Sequence, residues 1–459
     1  MSSPFLGISI ANTALQAFQQ ALDITGNNIA NVDTPGYSRE TITFMGTNPT
    51  TFYSDGHTLM IGTGVNVSAV NRIRDMYLQG ILSTAQSEQS RLDTLTSNMT
   101  SVQTVLPAPG GNDVSTALST FFNAWSSLAS NPNQAAALEQ VQAAGQALAN
   151  QISGTYNALA NINSQATANV TSTFNQIDEL TSQIANLNKE IVANSVGGTQ
   201  PNNLLDQRDQ DIQALSGLVN ISTQTYDNGT VAVYMGQDTL VDSNGSHAIP
   251  RTYDTTAQTV TDGTFTYNIT GGQLAGDFQT INTVGAYETQ LDNLANSLQT
   301  QVNTLSESGV TNQNPAQTGV AFFNGAAGAA NFDLSAAVKA DPNAIASGTS
   351  GNSGDGGLAL SISELSTTSI AALGNVTFGE YYDNLASKVG TDASNFQTQG
   401  DSQSAVVKQI NNQIQSNSGV SLDDEMSSML RYQRSYEAAA KALSIFDTVT
   451  SDLISMMNG

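Results

Sequence analysis

Residues 26–37 read GNNIANVDTPGY. Three asparagines, Asn27, Asn28 and Asn31, stand in a segment with helical spacing, which then stops at Thr34-Pro35-Gly36. Asparagine is a poor helix former, because its side chain competes for backbone hydrogen bonds. Upstream, Ile8, Leu15, Leu22 and Ile29 recur every seven residues, and Ala11, Phe18 and Thr25 repeat that step three residues later. This is an a/d heptad seam on a helix running to about Val32. Pro35 ends it, since the residue before proline avoids the helical region. Gly36 supplies a permissive turn, and Tyr37 to Phe44 then alternates as a strand does.

The other end of the chain mirrors this pattern. From Ser421 a helix is expected almost to Gly459, with Leu422, Met426, Met429, Tyr436, Leu443, Phe446, Leu453 and Met457 on its seam. Gln433 and Ala440 fill two intervening slots. Ser421 with Asp424 reads as a capping box, and Asp423 and Glu425 favour the positive helix start. A single narrow apolar stripe on a polar helix is an unfinished core. The two termini could complete each other, or meet copies of themselves.

Between them, residues 45–70 carry Asp55-Gly56 and Gly62-Thr63-Gly64 between β-like runs, a hairpin signal. Helices are expected over about 72–105 and 114–129. A longer one, rhythmic from Leu138 to Ile191, has a potential break at Gly154; unbroken it would span roughly 85 Å. A β pattern runs from Val219 to about Gly272, helical rhythm returns with Leu291, Leu294, Leu298, Val302 and Leu305, and residues 306–357 look loop-like. Further helices are expected over 378–416. The fold class is mainly α with a β insert: a long helical bundle or coiled coil formed by the N- and C-terminal segments, plus a small central β domain. The expected domains are 1–45 with 418–459, 46–218 with 283–417, and 219–282.

The 459 residues hold 13 Lys+Arg against 38 Asp+Glu, a formal net charge of -25. Nucleic acid and anionic membrane are therefore poor partners. There is no cysteine, so no disulfide or thiolate chemistry. No basic residue precedes Arg39 and no long apolar run follows Met1. A cleaved secretory signal is not expected, nor is a membrane span of ~18 apolar residues.

Catalytic chemistry finds little footing. His57 and His247 fall in expected turns of different domains. The run LDQRDQD places Asp206, Arg208, Asp209 and Asp211 close together. On a helix these side chains fan outward, which reads as packing plus a solvated face; a pair such as Arg208 with Asp211 contributes ~0–1 kcal/mol when exposed. The acids at 423–425 read as helix capping. GNSGDGG, residues 351–357, is a single copy and reads as a loop, since calcium β-rolls need tandem repeats. Gly62-Thr63-Gly64 lacks the lysine and helix of a phosphate loop. No catalytic residue, cofactor or metal ligand is expected; an acid-pair hydrolase has no spacing to select its pair.

The opening stretch nevertheless carries a resemblance. Asn27-Asn28-Ile29-Ala30-Asn31 followed by Thr34-Pro35-Gly36-Tyr37 resembles the N-terminal signature of the flagellar axial proteins, which comprise rod, hook and hook-associated members. EMSSMLRYQRSYEAAAKAL, residues 425–443, resembles the matching C-terminal signature. NNLLDQRDQDIQALSGLVNIS, residues 202–222, resembles the segment leading into the β insert of a hook-associated member. LDNLANSLQTQVN, residues 291–303, Phe322-Phe323 and residues 341–365 fit the same family. Leu305 stands where many relatives place a histidine, Thr448 replaces a frequent acid, and the β insert looks short.

The resemblance implies a structural protein that polymerises at the hook–filament junction. The terminal helices would form an inner coiled coil lining the axial tube, with the β insert outermost. Export would be unfolded, through the flagellar type III apparatus, without a cleaved signal. Expected partners are copies of the same chain, the hook protein, the second junction protein on the filament side, and an export chaperone. Expected subunit-assembly residues are Ile8, Leu15, Phe18, Leu22, Asn27, Asn28, Ile29, Asn31, Pro35, Gly36, Tyr37, Met426, Met429, Tyr436, Leu443, Phe446 and Leu453. The chaperone is expected on Met429, Tyr432, Tyr436, Leu443 and Phe446. Local capping of the helix end is the competing role for Asn31. Residues 1 to about 40 and about 418 to 459 are expected to stay largely unfolded until neighbours join.

Overall fold

The computed structural model describes residues 5–54, 57–108, 110–111, 113–195, 200–325 and 328–458. Helix α1 (Phe5–Ala30) is followed by strands β1 (Glu40–Gly46), β2 (Thr50–Ser54), β3 (His57–Ile61) and β4 (Val65–Arg72). Four helices come next: α2 (Met76–Val105), α3 (Val114–Ser130), α4 (Ala135–Asn194) and α5 (Asn202–Leu218). Strands β5 (Ser222–Thr225), β6 (Val231–Met235) and β7 (Asp238–Val241) precede β8 (Thr252–Asp254), β9 (Thr259–Thr261) and β10 (Thr266–Asn268). The chain ends with α6 (Gly272–Ser308), β11 (Val310–Thr311), α7 (Ala336–Ala340), β12 (Ala346–Gly348), α8 (Gly357–Glu364), α9 (Phe378–Ser418) and α10 (Leu422–Asn458).

Two compact units divide these elements. Met1–Ser87, Asn175–Ile249 and Ser404–Gly459 make the first; Glu88–Phe174 and Pro250–Gln403 make the second. Helices α2, α4 and α9 contribute residues to both.

In the first unit α1 packs on α10 and on the β1–β4 hairpin. β1 and β4 pair antiparallel from Glu40 opposite Arg72 to Gly46 opposite Val65, with a bulge at Thr43/Phe44. The bulge aims Phe44 between the terminal helices: its ring lies 5.9 Å from Phe18 and 6.1 Å from Tyr432, both edge-on. β2 and β3 pair antiparallel, and the Asp55-Gly56 turn expected between them lies outside the described residues. Gly64 has φ +119°, and a Cβ there would stand 2.5 Å from Thr13 Oγ1, so only glycine lets the hairpin's return meet α1. A three-stranded antiparallel sheet, ordered β5-β6-β7, follows α5.

The second unit is built on an aromatic cluster. Phe121, Trp125, Phe322 and Phe323 are fully buried, with Trp125 and Phe322 centroids 5.2 Å apart and Phe322 and Phe323 4.9 Å apart. Around it α6 contributes Tyr287, Leu291, Leu294, Leu298 and Val302 to one continuous core. Asp113 starts α3, its Oδ1 accepting from Thr116 N at 2.8 Å. The second small sheet, ordered β10-β9-β8, belongs to this unit.

The architecture is mainly α, with long helices at both ends and a small central strand region. Three local features differ from the sequence reading. The strands of 219–282 form two separate sheets rather than one insert. α6 begins at Gly272, well before the helical rhythm expected from Leu291, because Leu274 to Phe278 are all buried and so show no amphipathic rhythm. α4 is unbroken at Gly154 over 60 residues.

Candidate assembly site

The terminal helices run antiparallel, as two contacts show. Near one end Gly7 faces Phe446, whose ring would stand 2.6 Å from a Cβ at position 7. Near the other, Asn28 Nδ2 donates to Glu425 Oε2 at 3.1 Å. The deepest positions of α1 are small or polar: Ala11, Ala17, Ala21, Thr25 and Asn28. Gly7, Ala14, Ala21 and Asn28 form a heptad line one residue ahead of the expected one. Ile8, Leu15, Phe18, Leu22 and Ile29 are only half-buried. Of the expected seam, Ala11 and Thr25 are buried while its large residues are only half-buried, because close approach of two helices favours small residues at the contact line.

On α10, Glu425, Ala439 and Thr450 are buried, while Met429, Tyr432 and Leu443 are half-buried. Much of the helix's apolar surface remains in solvent. Leu422, Met426, Leu430, Tyr436, Ile445, Phe446, Val449, Leu453, Ile454 and Met456 are each at least 36 % exposed. Met426, expected on the seam, is 57 % exposed. The side chain of Met457 lies outside the described residues.

A buried polar clamp ties this pair to the rest of its unit. Asn28 is 1 % exposed and its amide is fully used. Its Nδ2 donates to Glu40 O at 2.9 Å as well as to Glu425, and its Oδ1 accepts from Glu40 N at 2.9 Å and from Tyr37 OH at 2.7 Å. Arg39 Nε closes on Glu425 Oε1 at 2.7 Å. Glu40 Oε1 in turn accepts from Asn202 Nδ2 at 2.7 Å. This corrects the intersubunit role expected for Asn28: it has no hydrogen-bonding capacity left for a neighbour. The clamp seats residues 28–40 and Glu425 against one another within the subunit.

Asn31 and Asn27 differ from Asn28. Asn31 Nδ2 donates to Asn27 O at 3.0 Å and to Asn27 Oδ1 at 2.8 Å, and Asn31 Oδ1 accepts from Thr34 Oγ1 at 3.1 Å. Asn31 therefore folds back on the last turn, its side chain adding a second bond to the Asn27 carbonyl that Asn31 N already reaches at 3.1 Å. Asn27 is exposed. Pro35 and Gly36 are exposed at the turn, where Gly36 has φ +77° and Pro35 O accepts from Gln210 Nε2 at 3.0 Å.

Helix α5 carries the far side of the clamp. Asp206 Oδ1 accepts from Ser38 Oγ at 2.8 Å and pairs with Arg72 NH1 at 2.5 Å. Asp209 Oδ2 pairs with Arg72 at 3.0 Å and with Arg74. Arg208 is 3 % exposed; its NH1 donates to Asn188 Oδ1 at 3.1 Å and to Gly229 O at 2.6 Å. LDQRDQD is therefore a buried brace rather than a solvated face, and Arg208 serves Asn188 and Gly229 instead of Asp211. Its partners lie far away in sequence, so no local spacing marks it.

The electrostatics follow this burial. Burial, then the Arg72 charge, brings the Arg74 and Arg208 guanidinium groups down to about 10. Burial, then the carboxylates of Glu40, Asp206 and Glu425, pushes the Tyr37 phenol well above its usual range. Tyr37 thus stays a neutral donor to Asn28.

The residues weighed for catalysis do not converge. His57 lies at the start of β3, and His247 is half-exposed beside Asp242, 3.3 Å away. Asp423 and Asp424 face solvent at the start of α10. Asp355, in the glycine-rich loop, accepts from Ser350 Oγ and then from Ser350 N, Gly357 N and Thr349 N, which brings it down to about 2. Among the described residues no group of three or more acids or histidines could hold a metal ion, and no helix is long and apolar enough to cross a membrane.

Comparison with known proteins agrees with this geometry. Residues 99–323 match the flagellar hook-associated protein FlgK helical domain. Residues 8–37 match the flagella basal body rod protein family, and 412–456 the flagellar basal body rod FlgEFG protein C-terminal family. Flagellar hook-associated protein 1 of Bacillus subtilis is 27 % identical over 506 aligned residues, spanning 100 % of this chain and 99 % of the relative. The protein of the same name from Escherichia coli is 27 % identical over 98 % of this chain and 99 % of its own. That of Salmonella typhimurium is 34 % identical over 55 % of this chain and 46 % of its own. The solved structure of the flagellar hook junction protein FlgK from Burkholderia pseudomallei shares the fold, with a TM-score of 0.64 and 17 % identity over 73 % of this chain and 100 % of that one. The chain belongs to the hook-associated protein 1 (FlgK) family, structural proteins of the bacterial flagellum.

Proposed function

We propose that the protein is a structural adaptor, not an enzyme, which polymerises between hook and filament and on which filament assembly depends. One observation carries this reading: the α1/α10 pair buries small residues at its contact line and leaves the large apolar residues of α10 in water. Such a surface costs solubility unless another surface covers it. Copies of the same chain, packed side by side around an axis, are the natural cover, with the hook protein and the second junction protein at the two ends of the ring.

In this reading Ile8, Leu15, Phe18, Leu22 and Ile29 of α1 and Met426, Met429, Tyr436, Leu443, Phe446 and Leu453 of α10 complete their burial against neighbours. Asn27 faces those neighbours, while Asn28, Asn31, Pro35, Gly36 and Tyr37 hold the angle between α1 and the hairpin. The terminal domain (1–45 with 418–459), the long-helix domain (46–218 with 283–417) and the outer β region (219–282) remain the proposed division of labour.

The protein travels unfolded to an extracellular position, with neither nucleic acid nor membrane as a partner. A chaperone holds Met429, Tyr432, Tyr436, Leu443 and Phe446 on the way. Tyr432 packs on Phe44 of β1 in the folded subunit, so the chaperone must bind before the β1–β4 hairpin docks. Electron microscopy of cells lacking the gene tests the function. Hooks without filaments, with flagellin lost to the medium, are expected; filaments of normal number overturn it.

A further inference from the structure

Asp277 lies near the start of α6, in the second unit, with 0 % exposure. Neither of its carboxyl oxygens has a hydrogen-bond partner. Its surroundings are close-packed: a Cβ on the preceding Gly276 would stand 2.8 Å from Arg91 O and 2.7 Å from Thr94 Cβ, both of α2. Phe278, the next residue, stacks on Tyr253 with centroids 5.3 Å apart.

No charge compensates this acid. On α2 the charged groups are Glu88, Arg91 and Asp93; Arg91 is bound to Glu88 at 2.5 Å and to Gln279 Oε1 at 2.7 Å, and Asp93 to Gln89 at 2.6 Å. α4 has no charged residue between Glu139 and Asp178. Beside β8, Arg251 lies over the Phe174 ring at 5.6 Å, and Asp254 accepts from Thr256 N at 2.8 Å. The next charge along α6 is Glu288.

A carboxylate that makes no hydrogen bond and faces only neutral amides is costly in such a place, whereas the protonated acid is tolerated. We propose that Asp277 is a proton-linked switch in the fold: the second unit is tight while this carboxyl group holds its proton and loosens when it is lost. Burial pushes the group up to about 7, against the weaker pull of the neighbouring Asn169, Gln273 and Asn98 amides. In the unfolded chain it ionises near ~4. The folded state thus binds the proton more tightly, so stability falls as pH rises from about 4 to 7 and levels off above.

Trp125, the only tryptophan, is fully buried in the same unit and reports its unfolding. Denaturant unfolding of the full-length protein is to be followed by its fluorescence from pH 5 to 8, for the wild type and Asp277→Asn. Between those limits the wild-type unfolding constant should rise relative to the variant on the order of fiftyfold. A variant that tracks the wild type at every pH overturns the switch. A direct titration serves should Asp277→Asn not fold: with carbon-13 aspartate in the wild type, one carboxyl carbon should turn over near neutral pH. If every aspartate titrates below about 5, the proposal is wrong.

Discussion

Asn28 and Asn27 are neighbours in sequence with opposite fates. The first is sealed among Glu40, Tyr37 and Glu425, and the second is exposed. Replacing Asn28 by Ala leaves a buried backbone N–H and a buried carboxylate short of partners. Unfilled buried groups cost ~1–3 kcal/mol each, so Asn28→Ala should destabilise the subunit by roughly 2–4 kcal/mol in denaturant titration. Asn27→Ala should stay within about 0.5 kcal/mol and show its effect only in assembly. Tyr37 gives a pH test. Its phenol is held neutral above the ordinary tyrosine range, so the unfolded chain ionises first, near ~10. Stability contributed by the neutral phenol is complete below pH 10 and is lost as pH rises through the raised value. Tyr37→Phe should flatten the alkaline limb of the stability profile; an unchanged limb would remove Tyr37 as its source.

At the scale of elements, glycines in helices separate packing from propensity. Gly154 sits exposed inside α4 with nothing within 4 Å of an added Cβ. Gly154→Ala should therefore stabilise the protein by roughly 0.5–1 kcal/mol. Gly145 lies in the same helix, but its added Cβ would fall 2.7 Å from the Phe322 ring. Gly145→Ala should instead cost ~1–3 kcal/mol through overpacking. Melting curves of the two variants should move in opposite directions.

The same distinction explains what could be read in advance. The sevenfold spacing of large residues located α1 and α10, and proline, glycine and serine located their ends. The depth of the contact could not be read this way, because hydrophobicity marks Leu15 and Leu22, which are half-buried, whereas the deepest positions of α1 are Ala11, Ala17, Ala21, Thr25 and Asn28. The family resemblance, carried by the asparagine turn, the 202–222 segment and the C-terminal helix, led to the right protein family. The bracing by Asp206, Arg208 and Glu425 stayed hidden, since each acts on residues 20 to 397 positions away and nothing local distinguishes a buried acid from a solvated one.

For the whole molecule, the central claim is that the apolar face of α10 is open in the free subunit and covered in the flagellum. The chain has no cysteine, so one introduced thiol reports one position. Leu430 and Val449 are 55 % and 48 % exposed on α10, and Leu360, 50 % exposed on α8, serves as a control in the second unit. Each is replaced singly by cysteine, and maleimide labelling is compared between purified subunits and isolated flagella. The free subunit should label readily at all three positions. In the flagellum, Leu430→Cys and Val449→Cys should be protected at least tenfold while Leu360→Cys stays reactive. Equal labelling of the α10 positions in both states would contradict the account.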